Sequence, residues 1–247
     1  MNIRKLAGIT ILLALCTLAN ADLIDTVTIT RDGYGAGDTA KIWGGGYSEI
    51  NTFAGVLGFE KISGTGDGQL LDNGWIGGFC MDIPQSLFSS TATYQLVNVA
   101  DGPNPTGFLG GPMGQQKADY LAELWGRHFD EQWVSGSSWT YLQKQSAEAF
   151  QIAIWEIIYE GMPATPDGWN VKSDGTYGQL GFKASEADRD LANQWLSSLD
   201  GTGPMANLMA LTNAHYQDIL IAIPHSVPEP ATLIILALGG MLLRIKK

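Results

Sequence analysis

Two residues that stand far apart in the chain could together form a covalent bond. Cys80 lies in the short segment 77–82, and Gln151 interrupts the apolar run 150–155. A thiol and a side-chain carboxamide that meet in a dry core can condense to an internal thioester, with loss of ammonia. An amine or a hydroxyl could open such a bond once, which would join the attacking group to the carbonyl carbon of Gln151.

The segment that carries Cys80 is predicted to be a strand within a region, residues 22–110, of strands and turns. Its two glycines would let another backbone approach closely. Successive side chains of a strand point to opposite faces, so Phe79 and Met81 share one face and Cys80 lies on the other with Ile76. We therefore expect the thiol to be packed in the interior.

Gln151 is predicted to lie on a helix that spans about residues 146–160. At about 100° per residue it shares a face with apolar side chains, among them Trp155, while Glu156 and Glu160 lie on the far side. Gln151 would thus face the core, where a carboxamide without partners costs about 1–3 kcal/mol. Either neighbouring backbone groups satisfy it, or it is consumed covalently.

Three further elements complete the predicted domain. Residues 117–129 have the apolar spacing of an amphipathic helix. A second helix is predicted over 185–199, where Ser185 and Asp188 have the spacing of a capping box. Residues 216–223 alternate weakly and could return as a closing strand.

The two motifs together resemble the thioester domains of bacterial surface adhesins. Those domains have an aromatic–Cys–aliphatic–Asp strand and a Gln-x-Ala-Ile-Trp helix, patterns that residues 79–82 and 151–155 match. The resemblance implies that Cys80 supplies the thiol and Gln151 the acyl group of a thioester, with Asp82 and Trp155 in supporting positions. It also implies an α+β domain over residues 22–223, with a β-rich lobe and a helical lobe.

The N-terminus predicts export. A basic start and an apolar run precede a small-x-small cleavage site that ends at Ala21, so residues 1–21 are interpreted as a signal peptide. Cys16 would be removed with it. The alternative is a lipoprotein with Cys16 lipidated, but Leu15 stands where lipoproteins usually place a small residue.

The C-terminus predicts sorting. Residues 224–230 form a linker with the motif Pro228, Glu229 and Pro230, and residues 231–247 hold an apolar helix and a basic tail. The apolar stretch is shorter than the roughly 20 residues that cross a bilayer unaided, and its basic end fits the cytoplasmic side. This order resembles the PEP-CTERM sorting signal, which implies an exosortase-type membrane protease as a partner. An ordinary C-terminal anchor is the alternative.

Composition narrows the function further. The net charge of −11 disfavours nucleic acid as a partner, because phosphates would be repelled. No spacing of His, Cys and carboxylates indicates a metal site, and no cofactor is expected. We expect an exported protein of the cell surface or biofilm matrix that attaches once to amine or hydroxyl groups on protein or polysaccharide, and that is a single-turnover acyl donor, not an enzyme.

Two alternatives stay open. One is a structural protein of the exopolysaccharide matrix that acts without covalent chemistry. The other is a secreted cysteine hydrolase, which would need a histidine beside Cys80; the candidates are His128, His215 and His225.

Overall fold

A computed structural model describes residues 25–103, 111–173 and 181–223. The predicted signal peptide, the linker with Pro228, Glu229 and Pro230, and the predicted sorting helix lie outside these ranges. No helix within the described ranges combines the length and the apolar character that a membrane span requires.

The described residues form a mixed α+β domain, as the sequence predicts. The strands are β1 (Thr26–Gly44), β2 (Tyr47–Thr65), β3 (Gly74–Cys80), β4 (Thr91–Asn98), β5 (Lys183–Ser185), β6 (Leu208–Thr212) and β7 (Ile219–Ala222). The helices are α1 (Gln115–His128), α2 (Tyr141–Tyr159) and α3 (Arg189–Ser197).

Six of these strands pair in a closed ring. The order is β1, β2, β3, β7, β6, β4 and back to β1, and every pairing is antiparallel. The ring closes at residues 26–30 of β1, which pair with β2 on one side and with β4 on the other. The short β5 pairs with the far end of β1, outside the ring. β3, which ends at Cys80, is thereby held between β2 and β7.

The side chains of β1 alternate between the core and the surface where β1 pairs with both neighbours. Val27 and Ile29 are fully buried, whereas the alternating threonines Thr26, Thr28 and Thr30 are partly exposed. Two of these threonines hydrogen-bond through their hydroxyls to threonines of β4, Thr28 to Thr93 at 2.9 Å and Thr30 to Thr91 at 2.8 Å. Cross-strand pairs of this kind stabilise a sheet and fix its register.

The glycines of β3 confirm the predicted close approach. A Cβ built on Gly78 would lie 2.5 Å from Cγ2 of Ile219 and 2.9 Å from the carbonyl oxygen of Leu220. Only glycine therefore allows β3 to lie this close to β7. The next two residues of β3 pair with β7, Phe79 with Leu220 and Cys80 with Ile219.

Helix α2 begins earlier than predicted, and from Ala147 onward it is buried on all sides. Thr140 and Gln143 form a capping box at its start, a signal that places the first residue at Tyr141. Every residue from Ala147 to Tyr159 is buried. Glu156, predicted on the far side, accepts a hydrogen bond of 2.8 Å from the backbone N–H of Asn170, because a loop after the helix covers that face.

The other predicted boundaries shift by a few residues. Helix α3 starts at Arg189 with Asp188 as its N-cap, whereas Ser185, predicted to begin the capping box, ends β5. Ser185 pairs there with Lys41 of β1, so strand pairing overrides the local helix signal. The closing strand β7 is confirmed, but it starts at Ile219.

Strands and helices share one core rather than forming separate lobes. A single cluster of buried side chains takes in residues of β1 to β7 and of all three described helices. Phe79 of β3 and Phe150 of α2 meet near its centre, with ring centroids 4.9 Å apart, and Trp125 of α1 stacks edge-on against Phe79 at 5.4 Å. This aromatic contact packs α2 against the strand that carries Cys80.

Candidate functional site

The Gln151 side chain is bound at both ends to the backbone of Cys80. The Cys80 N–H donates to Oε1 of Gln151 at 2.9 Å, and Nε2 of Gln151 donates to the Cys80 carbonyl oxygen at 2.9 Å. The two residues are 71 positions apart in the chain, and Gln151 is fully buried. The fold therefore brings the predicted thiol-bearing and acyl-bearing residues into direct contact.

A gap in the sheet explains why a carboxamide fits at this position. In an antiparallel pair the backbone groups of successive residues point alternately to the two sides of the strand. The Met81 N–H points to β7 and donates to Asp218, so the groups of Cys80 point to the β2 side. The pairing of β2 with β3 ends at Gly78. The Gln151 carboxamide occupies the place of the missing strand and satisfies both groups.

Two more side chains on the same face of α2 contact the Cys80 side chain and the segment that follows β3. Gln151, Trp155 and Tyr159 follow one another at four-residue spacing, which aligns them on one helix face. The indole N–H of Trp155 donates to Sγ of Cys80 at 3.3 Å, and the backbone N–H of Ile83 donates to the Tyr159 hydroxyl at 2.9 Å. Helix α2 therefore hydrogen-bonds to the backbone of Cys80, to its sulfur atom and to the loop that follows it.

Asp82 is a buried carboxyl group in unfavourable surroundings. Its side chain is fully buried, and its Oδ1 has no hydrogen-bond partner among the described residues. Desolvation raises the pKa of Asp82 to about 7, and the nearby negative charge of Asp218 adds to the shift. Asp82 can therefore take up or release a proton near neutral pH.

Burial also keeps the Cys80 thiol protonated. Desolvation raises its pKa well above that of a free cysteine, although the hydrogen bond from Trp155 to the sulfur opposes the shift. The backbone N–H of Asp82 also hydrogen-bonds to the sulfur and acts in the same direction as Trp155. Burial raises the pKa of the Tyr159 hydroxyl as well, and the charge of Asp82 adds to that effect.

A groove of about 540 Å³ connects this buried site with the surface. It lies between the β1–β2 hairpin and the loop after β3, and Cys80 is one of its lining residues. Cys80 is 3% exposed and Gln151 is not exposed at all. A small nucleophile could reach the sulfur end of the pair, while bulk water is kept from the carboxamide.

The described histidines have partners away from Cys80. His128 stacks on Trp195 with ring centroids 4.9 Å apart and lies 3.0 Å from the Ser198 hydroxyl. His215 is exposed in the loop before β7, while His225 lies outside the described residues. Within the described ranges, no group of three or more His, Cys, Asp or Glu side chains could hold a metal ion.

All four predicted site residues of the domain lie together, and two neighbours were missed. Cys80, Gln151 and Trp155 share hydrogen bonds, and Asp82 contacts the sulfur through its backbone. Tyr159 could have been found from its four-residue spacing after Gln151 and Trp155. Asp218 had no local signal, because only the pairing of β7 with β3 brings it to Asp82.

Replacing Gln151 by Leu should destabilise the fold, because it leaves the N–H and carbonyl of Cys80 unpaired in the core. We expect a loss of about 1–3 kcal/mol in the free energy of unfolding. The comparison is made by urea denaturation in a Cys80→Ala background, where no thioester can form. Gln145→Leu, on the partly exposed start of the same helix, is the matched control and should change stability little. Equal stability of both variants would contradict the role of the two hydrogen bonds.

Replacing Asp82 by Asn should stabilise the protein at pH 8 but not at pH 4. The pKa of Asp82 is raised from 3.8 to about 7, so the folded state binds the extra proton in this interval and stability falls as pH rises through it. Removal of the carboxylate should recover about 2–4 kcal/mol above pH 7. Denaturation of both proteins at the two pH values measures the difference. Asn at the exposed Asp101 serves as a control, and a benefit of Asp82→Asn that does not depend on pH would contradict the assignment.

Comparison with known protein families, curated proteins and solved structures gave no match.

Proposed function

We propose that this protein forms an internal thioester between Cys80 and Gln151 and uses it for one-shot covalent attachment to an amine or hydroxyl nucleophile. The product would be an adhesive or crosslinking bond at the cell surface or in the surrounding matrix. The reaction consumes the protein's own acyl group, so the protein is a single-turnover acyl donor rather than a catalyst.

One observation carries the proposal: the Gln151 carboxamide is hydrogen-bonded to the backbone of the residue that bears the thiol. Pre-orientation of two reacting groups is worth effective molarities of about 10⁵–10⁸ M. The contact is also buried, so water competes poorly for the carbonyl carbon. Amide displacement by a thiol, which is unfavourable in solution, is supported by both conditions.

The same hydrogen bonds suit the transition state of thioester formation. Sγ of Cys80 attacks Cδ of Gln151, the Cδ–Nε2 bond breaks, and the thiol proton leaves on the nitrogen as ammonia. Negative charge develops on Oε1 during this step, and the Cys80 N–H already donates to that atom at 2.9 Å. A donor in place before the charge forms is an effective means of stabilising it.

Asp82 and Trp155 have supporting roles in this scheme. We assign to Asp82, whose charge acts on Cys80 and whose pKa is about 7, the transfer of the thiol proton to the departing nitrogen. The Trp155 indole N–H lies 3.3 Å from Sγ. It would stabilise charge on the sulfur whenever the sulfur attacks or leaves.

Opening of the thioester reverses the roles of the atoms. An amine or hydroxyl enters through the groove, its nitrogen or oxygen bonds to Cδ of Gln151, and the Cδ–Sγ bond breaks. One proton of the nucleophile passes to the sulfur and restores the Cys80 thiol. An amide or ester bond to the partner remains.

Export and sorting complete the proposed function. The predicted signal peptide, residues 1–21, would send the chain out of the cytoplasm, where a thioester can meet its target. The motif Pro228, Glu229 and Pro230 with the apolar and basic tail would be recognised by an exosortase-type membrane protease. The protein would then reside at the cell surface or in the extracellular matrix.

A non-covalent structural role is the second candidate, and the same contact favours it. The Cys80 backbone satisfies both ends of the Gln151 carboxamide, so the buried amide is stable without any reaction. In that case Gln151 serves only to link α2 to the sheet. A cysteine hydrolase has less support, because His128 and His215 have other surroundings.

The intact mass of the exported protein should be lower than that of the encoded mature chain by one ammonia. Methylamine should add across the thioester, and a thiol reagent should then detect Cys80. Cys80→Ala and Gln151→Ala should abolish both effects, whereas Gln145→Leu should preserve them. An unreacted mass together with no methylamine adduct in the native protein would identify the non-covalent role instead.

Replacing Trp155 by Phe should slow the opening of the thioester by methylamine about tenfold, because the sulfur leaves without its hydrogen-bond donor. The rate is measured by the appearance of the free thiol. Trp133→Phe, in the aromatic cluster away from the sulfur, controls for the loss of indole packing. If both variants react at the native rate, Trp155 does not act on the sulfur.

A further inference from the structure

The groove that leads to Cys80 has a lining suited to a particular class of partner. The β1–β2 hairpin contributes aromatic rings and uncharged polar groups to its walls, and the loop after β3 contributes polar and aliphatic side chains. The polar members that face solvent include the amide of Asn51 and the hydroxyls of Thr52 and Ser86, whereas the Gln217 amide is already hydrogen-bonded to the loop after β3. Amides and hydroxyls offer both donors and acceptors, as sugar hydroxyl groups do.

Three aromatic side chains of the β1–β2 hairpin line this groove, namely Tyr34, Tyr47 and Phe53. Tyr34 is 43% exposed and packs against Phe53 with ring centroids 4.3 Å apart. Arg31 lies 5.0 Å from the centre of the Tyr34 ring and donates a hydrogen bond to the Tyr34 hydroxyl. Tyr47, on the opposite strand of the hairpin, is 38% exposed. Tyr34 and Tyr47 thus offer partly exposed aromatic surface, against which the apolar face of a sugar ring can pack.

The charge of the groove disfavours the other class of nucleophile, a lysine side chain. Arg31 is the charged side chain among the described residues that line it, and no Asp or Glu is among them. Although the net charge of −11 attracts cations at longer range, a lysine ammonium group within the groove would meet the Arg31 charge and find no carboxylate to pair with. An acidic polysaccharide is disfavoured for another reason, since the whole chain has a net charge of −11.

From these observations we propose that the groove binds neutral carbohydrate and presents a sugar hydroxyl to the acyl carbon of Gln151. This assignment rests on the proposed thioester. The hydroxyl oxygen bonds to Cδ, the Cδ–Sγ bond breaks, and the hydroxyl proton passes to the sulfur, so the products are an ester and the Cys80 thiol. Burial favours the neutral thiol over the thiolate, which assists this proton transfer.

The test uses the full exported chain and follows adducts by intact mass. The protein is incubated separately with a neutral glucan oligosaccharide, with an N-acetylated lysine peptide and with methylamine. Tyr34→Ala and Tyr47→Ala are compared with Tyr141→Ala, a control at a tyrosine that is 70% exposed outside the groove. Loss of the stacking surface should slow the glucan reaction about tenfold relative to the methylamine reaction of the same variant, whereas Tyr141→Ala should leave both rates unchanged.

The outcomes separate the two proposals. A glucan adduct that depends on Tyr34 or Tyr47 but not on Tyr141 supports carbohydrate as the partner. If methylamine adds but the glucan does not, or if the lysine peptide reacts faster than methylamine at equal concentration, the carbohydrate assignment is wrong and the thioester stands. If methylamine itself fails to add and the mass shows no loss of ammonia, both proposals fail.

Discussion

The structure depends on how two backbone groups of Cys80, its N–H and its carbonyl, obtain hydrogen-bond partners. Cys80 ends a strand whose neighbour on one side, β2, has stopped pairing at Gly78, so its N–H and carbonyl face the core without a strand partner. A buried backbone group without a hydrogen bond costs free energy. The Gln151 carboxamide fills the gap, and this requires α2 to lie across the end of β3 with a polar side chain in its apolar surface. The burial of α2 and its aromatic contact with Phe79 follow from that placement.

This placement also determines the chemistry that the site can perform. Burial keeps the Cys80 thiol neutral and raises the pKa of Asp82 to about 7. Proton transfer at the site therefore leaves little net charge in the buried interior. Gln151 is fully buried, and the groove that Cys80 lines approaches the pair from the sulfur side. A reactive acyl group needs such an arrangement, because it must survive water and still meet a larger nucleophile.

Local sequence patterns predicted the main helices and the contact between Cys80 and Gln151 better than they predicted the loops and the groove around that contact. Sequence patterns predicted β3 and the closing strand β7, and apolar spacing predicted α2 with Gln151 inward, but β5 and β6 were not predicted. The capping box of Thr140 and Gln143 marks the start of α2 in the sequence itself. Pairing of Ser185 with Lys41 changed the start of α3, and the loop over Glu156 buried a residue that a helical wheel leaves outside. The groove and Asp218 could not be predicted, since residues from distant strands and loops form them.

The most direct test of the account is an experimental electron-density map of the exported protein at high resolution. The account predicts continuous density between Sγ of Cys80 and Cδ of Gln151, with the Cys80 N–H still donating to Oε1 and no density for Nε2. A complete carboxamide that donates through Nε2 to the Cys80 carbonyl, beside a separate thiol, would contradict it.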